Sequence, residues 1–174
     1  MDYCATSDDL AADTRRLVEA GFDVEGPDRG GRRLPDGTEI RWKSARIQQE
    51  GRVLPFLIED ETPRDLRVPG GPSTKHPNGA TGILRLLIAA WDRAQARTSL
   101  AALVGSRKTP GDAFPVGCHE FAIVASDDSD EPVKQRLKTL GPGPLAIELD
   151  AAARSDAELD PGLARGARIR FRQA

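Results

Sequence analysis

Two stretches of the chain place apolar residues at helical spacing between an acidic start and a glycine stop. In the first, Asp8 and Asp9 precede Leu10, Leu17 and Val18, and Gly21 closes the run. In the second, Asp92 precedes Leu100, Leu103 and Val104, and Gly105 closes it. An acid suits the positive end of the helix dipole, and glycine accepts the left-handed conformation that ends a helix. Each stretch is followed further on by an apolar strand ending in glutamate, Pro55-Phe56-Leu57-Ile58-Glu59 and Pro144-Leu145-Ala146-Ile147-Glu148. The pattern reads as one module written twice, at an interval too long for a solenoid repeat.

Between these landmarks the period shifts. Asp2 to Thr6 and Phe22 to Glu25 are expected strands, and Gly26 to Gly31 with the Leu34-Pro35-Asp36-Gly37 turn forms an expected turn-rich stretch. Thr38 to Ile47 alternates, with Ile40 and Trp42 on one face and Glu39, Arg41 and Lys43 on the other. Val53 to Glu59 completes a strand, helix, strand, strand, strand unit. Prolines 63, 69, 72 and 77 interrupt the segment 61–79, which reads as a linker. Ile83 to Ala90 is apolar enough for a strand buried on both faces. Lys108 to Val116 is poorly marked, being a strand or a loop. His119 to Ser126 and Leu145 to Leu149 read as strands, Pro132 to Thr139 as a short helix, and Ala167 to Arg172 as a terminal edge strand guarded by arginines.

Composition narrows the partners. The 174 residues suffice for one domain or two modules sharing a core. The net charge is -2, from 25 basic and 27 acidic side chains, so no global field draws the chain to nucleic acid or an anionic membrane. No apolar run approaches the roughly 20 residues that cross a bilayer. Cys4 and Cys118 are the only cysteines and no secretory signal is visible, which points to the reducing cytoplasm.

Three local words, Pro35-Asp36-Gly37-Thr38-Glu39-Ile40-Arg41-Trp42, Leu54-Pro55-Phe56-Leu57-Ile58 and His76-Pro77-Asn78-Gly79-Ala80-Thr81-Gly82-Ile83, resemble the bacterial glyoxalase-like domain family of the vicinal-oxygen-chelate superfamily. The resemblance implies an α+β fold in which two βαβββ modules form an open, curled mixed sheet around a cleft. On that reading residues 1–174 make a single domain, with a first module over 1–60, the linker 61–79 and a second module over 80–174. Members of the family often carry a further βαβββ-like segment before the position of Tyr3, so a shortened form, or a partner chain that supplies the missing surface, is the expectation.

The resemblance further implies a divalent metal, held by histidine and glutamate from the first and last strands of each module. Glu59 and Glu148 stand at the last-strand positions, and module symmetry would set them on related walls of one cleft for metal binding or general-base work. The expected first strands carry neither histidine nor glutamate, and two carboxylates alone hold a transition metal poorly. Arg41 offers a two-pronged clamp for a carboxylate or enolate, and Trp42 an aromatic wall or core volume. His76 either points into the cleft or fixes the turn, and Asn78 and Thr81 belong to the same segment. His119 follows Cys118 at a strand start, where alternation would send the two side chains to opposite faces, away from a nucleophile and base arrangement.

The leading expectation is a small organic molecule bound in the cleft by Arg41, Trp42, Glu59, His76, Asn78, Thr81 and Glu148, with no certain cofactor and Glu59 as the catalytic candidate if there is turnover. One alternative is a lyase, isomerase or ring-cleaving dioxygenase using Zn, Ni, Mn or Fe, with Glu59, Glu148 and His76 or His119 as ligands. Another is a shortened homodimeric interaction module without activity.

Overall fold

The computed structural model describes residues 3–49, 51, 53–105, 111–127, 130–151 and 157–173. The fold is α+β, with two mixed sheets that belong to two compact units. One unit spans residues 1–50 and 54–73, the other 51–53 and 74–174. Among the described residues no helix is long and apolar enough to cross a membrane.

In the first unit β1 (Cys4–Thr6), α1 (Leu10–Glu19), β2 (Asp23–Arg33), β3 (Glu39–Gln48) and β4 (Phe56–Asp60) follow in the expected order. Asp2, the expected first residue of β1, lies outside the described residues. The sheet runs β1-β4-β3-β2, with β1 parallel to β4 and the other pairs antiparallel. Asp9 caps α1, its carboxylate accepting the Ala12 N–H at 2.9 Å. β2 is much longer than its local sequence suggests. It runs through Gly26 to Gly31 because β3 supplies a partner for its backbone, with a register shift between Glu25 and Asp28 absorbing the turn-forming residues. Ala5, Leu57 and Ala45 stand opposite one another and so share a face, buried together with Ile47. Leu10 and Leu17 of α1, both wholly buried, provide the apolar side of the helix that lies against β2, β3 and β4.

The segment expected as a linker is divided. Arg64–Arg67 forms one turn of helix, α2, behind Pro63, and Gly71–Thr74 forms a 3₁₀ turn. Proline at a helix entrance costs no hydrogen bond, because the first N–H groups lack intrahelical partners anyway.

The second unit contains β5 (Gly82–Ala90), α3 (Arg93–Val104), β6 (Ala113–Val116), β7 (His119–Ala125), α4 (Glu131–Leu140), β8 (Gly143–Asp150) and β9 (Arg168–Arg172). The 108–110 part of the poorly marked stretch lies outside the described residues, and its last four residues form the edge strand β6. The sheet order is β6-β7-β5-β8-β9. β5 is parallel to β7 and antiparallel to β8. Asp92 and Gly105 cap α3 as expected, the latter at a φ of 68°. α3 lies against β6 and β7. On the other face Val133 and Leu137 of α4 cluster with Leu87 and Ala89 of β5, Ala122 of β7 and Ala146 of β8. Two-sided burial is therefore confined to the second half of β5, and Ile83 at its start is 45% exposed.

Candidate functional site

The face of the first sheet turned away from α1 is built from alternate residues of its strands. Cys4 stands opposite Phe56, Thr6 opposite Ile58, Ile58 opposite Ser44, and Asp60 opposite Trp42. Opposite residues share a face, so Cys4, Thr6, Trp42, Ser44, Ile58 and Asp60 form one surface. Trp42 is half-buried across β2, where a Cβ on Gly30 would come within 2.5 Å of its Nε1. At the Phe56 end the Arg46 guanidinium lies 5.3 Å from the ring centroid.

α2 is tied to this surface. The Glu61 and Thr62 N–H groups donate to the Arg41 carbonyl at 3.0 and 3.2 Å, and Thr62 Oγ1 accepts the Arg41 N–H at 3.0 Å. That clamp fixes the exit from β4, and the single turn that follows points two arginines back at the strands. Arg67 forks onto Asp60, with Nε to Oδ1 at 2.5 Å and Nη2 to Oδ2 at 2.8 Å. Both side chains are largely buried, 17% and 10% exposed. The Arg67 hydrogen bonds hold the Asp60 carboxyl below its ordinary value against the opposing effect of burial, and the same bonds raise Arg67. Arg64 donates from Nη1 to the Thr6 hydroxyl and adds to the positive potential at Asp60. Cys4 stands within electrostatic reach of Arg67.

Each expected site residue has its own partners within its unit. Glu59 faces α1: its Oε2 accepts the Leu10 N–H at 2.8 Å and its Oε1 is 3.3 Å from Lys43 Nζ. It anchors the helix and does not share the face of Trp42. The Arg41 side chain is 63% exposed and 4.0 Å from the Glu39 carboxylate, while its backbone holds the 61–62 segment. Glu148 is not the counterpart of Glu59. In the first unit the strand parallel to and beside the first strand is β4, but in the second unit it is β7, and β8 lies on the other side of β5. Glu148 is 7% exposed, 3.6 Å from Arg85 Nη1 and 3.4 Å from Arg172 Nε, within a row that also pairs Arg85 with Glu120. His76 is exposed and its carbonyl accepts the Gly79 N–H at 2.9 Å. Asn78 Oδ1 accepts the Ala80 N–H at 3.1 Å, and Thr81 Oγ1 donates to Asp150 Oδ2 at 2.7 Å, so these residues hold the turn into β5.

Asp60, Arg64, Arg67 and Thr6 were not legible as a group from the sequence. A signal existed in the one-turn spacing of Arg64 and Arg67 behind Pro63, but the neighbouring prolines pointed to a linker. As a metal centre the described residues do not fit. Among the described residues no three His, Cys, Asp or Glu side chains gather to hold an ion, and Asp60 on the open face is already engaged by a guanidinium.

A solved structure that is similar over nearly the whole chain agrees with the fold. The chain is similar over 99% of its length to a hypothetical protein from Staphylococcus aureus, with a TM-score of 0.67 and 15% identity, and spans 65% of that chain. Over 57% of its length it is similar to methylmalonyl-CoA epimerase from Mycobacterium tuberculosis, covering 93% of that chain with a TM-score of 0.47 and 14% identity. No curated protein matches the chain in sequence. The family model described as glyoxalase-like domain matches residues 1–104, more than half of the chain. With its βαβββ first unit, this chain therefore belongs to the glyoxalase-like domain family.

Proposed function

We propose that the chain binds a small organic oxyanion, such as a carboxylate, on the face of the first sheet opposite α1, without a divalent metal. The observation that carries this reading is the pair of arginines tethered over that face, Arg67 through Asp60 and Arg64 through Thr6. A guanidinium has five N–H donors, and one of those on Arg64 reaches Thr6, which leaves a fork for a bidentate oxyanion. Asp60 neutralises one of the two cations, so the pair keeps a positive charge to attract the ligand. Tethering lowers the ordering cost of binding, because the rotamers are already set. Trp42 supplies the apolar wall that orients an organic substituent beside the charge.

Titration calorimetry with a panel of mono- and dicarboxylates and inorganic phosphate tests the reading. At least one carboxylate should bind saturably, and Arg64→Gln should weaken it on the order of tenfold or more, since a charge-assisted hydrogen bond contributes about 1.5–3 kcal/mol. Absence of saturable binding across the panel would sink the proposal. Elemental mass spectrometry on protein purified without chelators tests the metal-free part. Near one equivalent of Zn, Ni, Mn or Fe per chain would replace it with the metal-dependent alternative.

A further inference from the structure

A second reactive constellation lies in the five-stranded unit. β6 and β7 form a hairpin in which Val116 stands opposite His119, leaving Gly117 and Cys118 as the whole turn. Gly117 takes a φ of 63°, the positive value that a two-residue turn of the II′ kind needs at its first position. Cys118 is thereby held at an exposed hairpin tip and not within a strand. The alternation expected to part it from His119 therefore does not operate, and its Sγ lies 3.4 Å from His119 Nε2 and 3.8 Å from Nδ1.

His119 is oriented by a third group. Its Nδ1 is 2.7 Å from the carbonyl oxygen of Ile83, which can only accept, so Nδ1 carries the proton. In the neutral ring Nε2 is then the free base, on the side nearer the sulfur. The two sulfur distances set the thiol over the nitrogen edge of the ring and not in line with the Nε2 lone pair. Such pairs commonly align fully only as the reaction proceeds.

We propose that Cys118 is a nucleophilic thiol activated by His119, and that it takes small soft electrophiles as its reaction partners. Nε2 accepts the thiol proton, and the resulting imidazolium keeps its Nδ1–H on the Ile83 carbonyl while its Nε2–H faces the thiolate. The sulfur lone pair then forms the C–S bond. With iodoacetamide as the probe, iodide leaves with the electrons of the broken C–I bond and the proton on Nε2 passes to water, so the step is redox-neutral. Nothing in it depends on the arginine pair or on a metal.

The test is site-resolved alkylation of the full chain by iodoacetamide near neutral pH, followed by mass spectrometry, with Cys4 as the internal reference and N-acetylcysteine as the free thiol. A free thiol is only a few per cent thiolate near neutrality, so Cys118 should react on the order of tenfold faster than N-acetylcysteine. His119→Asn should return Cys118 to the free-thiol rate and leave the Cys4 rate unchanged. A Cys118 rate no higher than that of N-acetylcysteine would overturn the proposal, and needs no variant to measure. So would a raised rate that survives His119→Asn in a protein whose circular dichroism and Cys4 rate match the parent.

Discussion

Asp60 shows how one side chain links stability to the proposed chemistry. Its carboxyl is held below the ordinary value near 3.8 chiefly by hydrogen bonds from Arg67. A depressed folded-state pKa means that the ion pair contributes fully above the unfolded value and loses its contribution as pH falls through the folded one. Asp60→Asn should cost about 1–2 kcal/mol at neutral pH, where the pair is intact and only partly solvated. In denaturant titrations the gap between parent and variant should hold constant above about pH 5 and close as pH drops below 3.8. A gap that ignores pH would show that the charge plays no part. Gly30 gives a second test at this scale. A methyl group there would meet Trp42 Nε1 at 2.5 Å, so Gly30→Ala must displace the indole. A loss of about 1–3 kcal/mol is expected for such overpacking. A changed Trp42 emission, read in a Trp91→Phe background, would accompany it.

At the level of elements, capping explains why the helices were easy to read and the strands were not. Asp9 and Asp92 each accept an N–H from their own helix, Ala12 at 2.9 Å and Gln95 at 3.0 Å, so the signal is local and lies in the residues themselves. Glu59 adds a nonlocal cap to the Leu10 N–H. Glu59→Ala should therefore lower the unfolding free energy by about 1–2 kcal/mol, while leaving carboxylate affinity unchanged in calorimetry. Loss of affinity with unaltered stability would return Glu59 to the binding site. The less legible strands have the opposite cause. Gly26 to Gly31 carries strong turn residues, yet β3 pairs with it as a strand through a bulge. Pro115 sits in β6 because that strand is an edge with only β7 as neighbour, where a missing N–H is tolerated. Partner strands overrode local preference in both places, as strand propensity generally allows.

Across the molecule, the duplicated pattern is real at the level of each strand and helix pair but not in how the last strands are used. In the second unit β7 takes the place that β4 takes in the first, and β8 and β9 extend the sheet beyond β5. Glu148 consequently belongs to a lattice of alternating charges, between Arg85 and Arg172 and near the row in which Glu158 reaches Arg168 at 2.8 Å and Arg170 at 3.3 Å. Glu148→Gln should lower stability by about 1–2 kcal/mol, read as a lower melting temperature, since the carboxylate is buried but its partners Arg85 and Arg172 are 43% and 35% exposed and water compensates them in part. An unchanged melting temperature would mean that solvent already screens the row. By itself the sequence determined both capped helices and the order of the first unit, because these follow from spacing, charge at helix ends and alternation among neighbours, and its family resemblance implied the α+β class. Only the tertiary structure decided that Glu59 serves α1, that Glu148 serves an ion-pair row, that Arg64 and Arg67 return to β1 and β4, and that Cys118 meets His119. Each of those outcomes depends on which strand lies beside which and where a turn breaks the alternation, and neither is a property of adjacent residues.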